Sequence, residues 1–157
     1  ADLIERIARS HLFNKGFETV QYVASALVDM AAHELAEVPE DFDAVAFERT
    51  QVEARGVPPG TRMRHRMTHF GHLFSGDGYA AGYYVYLWAE VLDADAFDAF
   101  VEAGDPFDAA VAQRLRRFIY GAGNTLAPDD AYRAFRGRDP DVAPMLRKKG
   151  LLDAAQA

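Results

Sequence analysis

Apolar positions along the chain repeat at helical spacing, and no stretch alternates convincingly at the period of a strand. Leu3 to His11 is amphipathic and stops at Asn14-Lys15-Gly16. Thr19 to Val38 carries Val20, Val23, Ala24, Leu27, Ala31 and Leu35 on one face and is closed by Pro39, so it is the longest expected helix. Asp41 or Asp43 caps a third helix through about Arg55, after which Gly56-Val57-Pro58-Pro59-Gly60 is a plain break. The spacing predicts a further helix from Tyr79, with Tyr79, Tyr83, Tyr86 and Glu90 on one stripe and Tyr84, Leu87, Trp88 and Val91 anchoring the other side. Asp93 and Asp95 then lead into a helix punctuated by Gly104 and Pro106. Phe107 to Tyr120 buries Phe107, Ala110, Val111, Leu115, Phe118 and Ile119, and a short helix runs from Asp129 or Asp130 to Phe135. The expected fold class is all-α, a single multi-helix segment over residues 1–157.

Composition narrows the partners. The 157 residues are half hydrophobic, which favours a packed core over disorder, and the formal charge of -7 argues against nucleic acid, whose phosphates need a basic footprint. Without cysteine there is neither a disulfide nor a thiolate metal site, and the cytoplasm is the default compartment. No apolar run approaches the ~20 residues that a membrane helix needs. The chain starts without Met and enters helical pattern at once, as a piece of a longer polypeptide does.

Candidate chemistry gathers between His69 and Trp88, in HFGHLFSGDGYAAGYYVYLW. A row of phenols on a helix either faces a cleft or lies in the core with one hydrogen bond each. Gly76 and Gly78, on either side of Asp77, suit a tight backbone beside a ligand, and His72 stands just before them. The loop lacks the GxxxxGK[ST] pattern of a phosphate cradle. His65, His69 and His72 would share a helix face, but Arg62, Arg64 and Arg66 set positive charge against a cation there. His33-Glu34 is not the start of a zinc-binding HExxH, because Glu37 occupies the last position of the motif. Arg136, Arg138, Arg147, Lys148 and Lys149 read as a solvated charge group that ends a helix.

Three stretches, FNKGFETVQYVASALVDMAAH, HFGHLFSGDGYAAGYYVYLWAEVLDADAF and FRGRDPDVAPMLRKKGL, resemble the C-terminal portion of the thimet oligopeptidase family of zinc metallopeptidases, with bacterial peptidyl-dipeptidases the nearest look. The resemblance covers essentially the whole chain. It implies a helical enzyme acting on short peptides, with zinc held by an HExxH and a further glutamate in an N-terminal catalytic portion that precedes this segment. No zinc ligand is expected in this chain, and without that portion self-association through uncovered apolar faces is expected. By resemblance Tyr86 and Tyr79 fall on positions that contact the reacting carbonyl. His72 falls on a substrate contact, Tyr83 on a further site-facing tyrosine, and Gly76 and Gly78 on the adjustable loop. The alternatives are a free-standing helical metal-binding module using the three histidines, or a noncatalytic interaction domain.

Overall fold

A computed structural model describes residues 2–152, and among these residues every regular element is helical. The α-helices are α1 (Asp2–Ser10), α2 (Lys15–His33), α3 (Ala44–Ala54), α4 (Val85–Ala103), α5 (Ala109–Leu115), α6 (Pro128–Arg136) and α7 (Ala143–Lys148). The chain divides into two compact units, Ala1–Tyr86 and Leu87–Ala157.

In the first unit Ala24, Val28, Met63 and Met67 form the core, with Phe42, Phe47, Val52 and Val57 packed around it. The expected cap of α3 is Asp43, whose Oδ1 accepts from the main-chain N–H groups of Val45 (2.9 Å) and Ala46 (3.0 Å). α2 ends at His33 rather than at Val38. The His33 ring turns back onto the Asp29 carbonyl at 3.0 Å, and Pro39 downstream disfavours helix at the residue before it. α1 is amphipathic as expected, yet none of its residues is buried, and Leu3, Ile4 and Ile7 lie bare on its apolar side.

The second unit has two core clusters. Val91, Ala94 and Met145 form one, with Leu87 and Leu146 against them; Ala99, Val111 and Phe135 form the other, with Phe100, Leu115, Phe118 and Ile119. Two expectations fail here, the second in part, for one reason. Asp93 and Asp95 do not open a new helix, because α4 runs unbroken through both, and the basic residues of the tail pair with it, Arg136, Arg147 and Lys149 partly enclosed while Arg138 and Lys148 stay exposed. Asp95 is completely buried; its carboxylate accepts from Tyr132 Oη at 2.6 Å and Arg138 Nη2 at 2.5 Å, with Arg136 Nη2 at 3.4 Å. Arg136 also grips Glu102 through both terminal nitrogens, at 2.5 and 2.7 Å. Arg147 pairs with Asp98 (2.9 Å), Lys148 with Asp93 (3.1 Å) and Lys149 with Glu90 (2.8 Å). The carboxylates of α4 are therefore ion-pair partners for residues that follow 34 to 59 positions later, not caps.

The helix expected over Phe107 to Tyr120 begins later. Asp108 caps α5 by accepting from Val111 N at 2.8 Å, which leaves Phe107 outside the helix and exposed. It ends in a π-helical turn, Arg116–Tyr120, closed by Gly121 N–H on the Arg116 carbonyl at 2.7 Å. Trp88, expected to anchor α4, is half exposed, since the packed line is Leu87, Val91 and Ala94 at i, i+4 and i+7.

Tyr132 gives this unit an alkaline limit. Burial, then its hydrogen bond to Asp95, then the Asp95 charge push its phenol well above the ordinary value, against the opposing effect of Arg136 and Arg138. Below the unfolded value of about 10 the phenol is neutral in both states and the contribution is intact; above it only the unfolded chain ionises, so stability falls as pH rises. Denaturation midpoints followed from pH about 8 upward should drop beyond pH about 10, and Tyr132→Phe should flatten that decline.

Candidate active site: an imidazole among three phenols

All four aromatic residues singled out by the sequence belong to the first unit, and the fold gathers them around His72. His72 Nε2 lies 3.1 Å from Tyr86 Oη. Its ring meets Tyr79 edge-on at a centroid distance of 4.8 Å, and Tyr83 and Tyr86 each at 6.1 Å. Tyr83 and Tyr86 are themselves 5.7 Å apart and nearly perpendicular. Tyr79 and Tyr86 are about half exposed (46% and 52%), which excludes the core-tyrosine alternative for these two rings. Tyr83 is more enclosed, and burial raises its phenol pKa, with Arg64 opposing the rise and Tyr86 adding to it.

The rings converge, but not on a helical stripe. α4 begins at Val85, so only Tyr86 stands on it; Tyr79 closes a 3-10 turn, Asp77–Tyr79, and the chain between is a turn with Ala81 at φ 53°. Two bonds divert the backbone. Gly82 N–H takes the Tyr79 carbonyl at 3.0 Å, and Tyr83 N–H goes to the Asp29 carboxylate at 2.9 Å instead of back along a helix. A Cβ at residue 82 would sit 3.2 Å from the Tyr79 carbonyl oxygen, closer than ordinary van der Waals contact. Glu90, the last residue of the expected stripe, is instead the partner of Lys149. Tyr84, expected on the anchoring side, precedes the helix and is half exposed.

The segment before the loop is likewise not one helix. It consists of two 3-10 turns, Met67–His69 and Gly71–Phe74, so the three histidines do not share a face. His65 packs on Phe70 at 4.7 Å, whereas His72 turns to the phenols. Buried Glu48 of α3 fixes the start of this segment by accepting Met67 N–H at 2.8 Å, with Arg66 Nε 3.2 Å away. Of the two loop glycines, Gly76 adopts φ 143° and ψ 168°, and Gly78 lies in the 3-10 turn that ends at Tyr79. Among the described residues no group of three or more His, Cys, Asp or Glu is placed to hold a metal ion.

α2 supplies contacts that the sequence analysis passed over. Gln21 Nε2 donates to the Arg62 carbonyl at 3.1 Å, and Tyr22 Oη donates to the Tyr83 carbonyl while the Tyr22 and Tyr83 rings stack at 4.9 Å. His33 packs on Phe74 at 5.5 Å. The signal was present in the helix pattern: Tyr22, Ser25, Asp29 and His33 stand at i, i+3, i+7 and i+11, a polar line inside an otherwise apolar helix.

A sequence profile of peptidase family M3 matches residues 1–151. The chain is 39% identical over 152 residues to the dipeptidyl carboxypeptidase of Salmonella typhimurium and 36% identical over 155 residues to that of Escherichia coli, in each case 96% of this chain and 22% of the relative. It is 38% identical over 159 residues to the organellar oligopeptidase A of Arabidopsis thaliana, covering 98% of this chain and 20% of that protein. The chain thus spans about a fifth of the length of these relatives. With a match over nearly its whole length, and with relatives at this level of identity, it belongs to peptidase family M3.

Proposed function

We propose that this chain is the C-terminal part of a zinc metallopeptidase that releases dipeptides from the C-termini of short peptides. In this reading it contributes substrate and oxyanion contacts, and an N-terminal catalytic portion brings the zinc. The observation that carries it is the exposed His72–Tyr86 pair at 3.1 Å with Tyr79 against the same imidazole. When a peptide carbonyl is attacked, negative charge grows on its oxygen, and a fixed O–H donor stabilises that charge more than it stabilises the ground state. With the proton on His72 Nε2, the imidazole donates to the Tyr86 oxygen and leaves the phenolic hydrogen free for that carbonyl. Tyr79 assists as a second donor, His72 holds the substrate backbone, Tyr83 closes the wall behind them, and Gly76 and Gly78 let the loop adjust over a bound peptide.

In this reading the zinc ligands belong to the N-terminal portion, and the uncovered apolar side of α1 is a surface for that portion to pack on. An isolated segment leaves that side bare and prone to self-association. No helix among the described residues is long and apolar enough to cross a membrane, and cytoplasmic residence goes with the reading. The purified chain alone should give no chelator-sensitive cleavage of a blocked short peptide; robust zinc-dependent turnover by it would overturn the proposal.

A further inference from the structure

We propose that Asp29 is a positioning residue: from the interior of α2, and through the backbone of Tyr83, it sets where the phenols stand relative to His72. The proposal rests on the peptidase reading only for what the cluster is used for.

Asp29 is completely buried, in the C-terminal part of a helix whose other buried residues are Ala24, Ser25, Ala26, Val28 and Ala31. A carboxylate in that position is costly unless N–H donors meet it, and it meets one from outside its own helix, Tyr83 N–H on Oδ2 at 2.9 Å. Tyr22, two turns earlier on α2, holds the other polar group of the same peptide unit region through its hydroxyl on the Tyr83 carbonyl. Both the N–H and the C=O of Tyr83 are thus tied to α2, in a turn that would otherwise be free to continue α4 backward.

The second half of the connection runs through His33. Its Nδ1 is 2.9 Å from Asp29 Oδ1 and 3.0 Å from the Asp29 carbonyl oxygen. With the proton on Nδ1 the ring donates to the carbonyl, and Asp29 Oδ1 is left in contact with the ring but without a hydrogen-bond donor of its own. The His33 ring then rests on Phe74, at the end of the turn that carries His72. Asp29 therefore touches, directly or through one neighbour, the chain on both sides of the glycine loop: Tyr83 after it and Phe74 before it. Tyr83 in turn packs against Phe70, His72 and Tyr86. A shift of its backbone moves the ring that spaces the imidazole from the phenol.

The test uses the 157-residue chain labelled with nitrogen-15 and reads the His72 ring resonances, with Tyr86→Phe defining their position when the imidazole has lost its phenol partner. Asp29→Asn keeps the volume and a neutral acceptor but removes the charge. It should fold with an unchanged helical spectrum, speed hydrogen exchange at the Tyr83 amide by roughly tenfold, and move the His72 signals toward those of Tyr86→Phe. Tyr22→Phe, which releases the Tyr83 carbonyl while leaving its N–H on Asp29, should move the same signals in the same direction by less, and it decides the matter if Asp29→Asn does not fold. A folded variant of either kind with His72 signals at the wild-type position overturns the proposal, because a merely structural role lowers stability without touching that contact. A peptidase assembled with its zinc-bearing portion that releases no dipeptide from a short peptide with a free C-terminus removes the peptidase reading, and the His72 signals of the wild-type chain and its variants then still decide the positioning role.

Discussion

Replacing Tyr86 with Phe should, on the proposed reading and in a peptidase assembled with its zinc-bearing portion, lower kcat by roughly a hundredfold to a thousandfold and leave KM nearly unchanged. The size follows from what is deleted, one donor aimed at a developing oxyanion, a loss of ~3–4 kcal/mol in comparable sites. The split between the two constants follows from timing. A bond that strengthens only as charge reaches the carbonyl oxygen contributes little to ground-state binding, so the deficit falls on kcat. The ring, its half-exposed position and its edge contact with Tyr83 all survive the change, so the fold is not at stake. Tyr79→Phe should cost less, since Tyr79 meets the imidazole through its ring edge and not through a hydroxyl at bonding distance. Tyr84→Phe serves as the control: the residue is exposed and stands outside the cluster. Steady-state kinetics on a short peptide decide the point, and a Tyr86→Phe enzyme within about twofold of wild type removes the phenol from the chemistry.

The largest effect on stability is expected in the second unit, at Asp95. Asp95→Ala takes away the acceptor shared by Tyr132 and Arg138 and strips Arg136, itself almost wholly buried, of one of its two carboxylates. Breaking a buried pair by deleting one partner costs about 3–5 kcal/mol. The lower end applies here, about 3 kcal/mol, because Arg136 keeps its two bonds to Glu102 and Arg138, partly exposed, returns to water. Asp95→Asn, which retains an acceptor for Tyr132, should lose less. Urea unfolding measures both. Arg133 is the useful contrast: it faces Asp129, Asp130 and Asp139, more charges than Arg136 does, but on the surface, where screening leaves such pairs little weight. If Arg133→Ala proved as destabilising as Asp95→Ala, burial would not be what gives the Asp95 group its strength.

What the sequence made legible, and what it hid, divides by how far away the deciding partner lies. α3 and α6, and the existence but not the ends of α2, which starts at Lys15 where a helix stop was expected, are readable because their signals are local: an apolar face, Asp43 two and three residues before the N–H groups it caps, Gly137 in the left-handed conformation after Arg136. The helix expected at Tyr79 failed because the carboxylate that takes Tyr83 N–H is 54 positions earlier, where no window of local periodicity reaches. The tail arginines looked solvated for the same reason, since Asp95 precedes Arg138 by 43 positions and only the fold brings them together. That these four rings come together was nevertheless legible, because tyrosine and histidine are few enough for their clustering in sequence to survive a wrong assumption about the backbone between them. The resemblance to a peptidase family named His72, Tyr79, Tyr83 and Tyr86 without depending on a helix. Asp29 went unnoticed because a single acidic residue on an amphipathic helix passes for surface until its burial is known.

The two glycines of the loop, paired in the sequence, part company in their tolerance of change. Gly78 has an ordinary backbone and open space where a methyl group would go, while Gly76 has the space but sits at φ 143°, a conformation L-residues shun. In a library that randomises Ser75 to Gly78, alanine and serine should therefore survive at 78 and be purged at 76. Natural drift in this hairpin would then be free to alter its length and polarity, so long as one unsubstituted pivot endures.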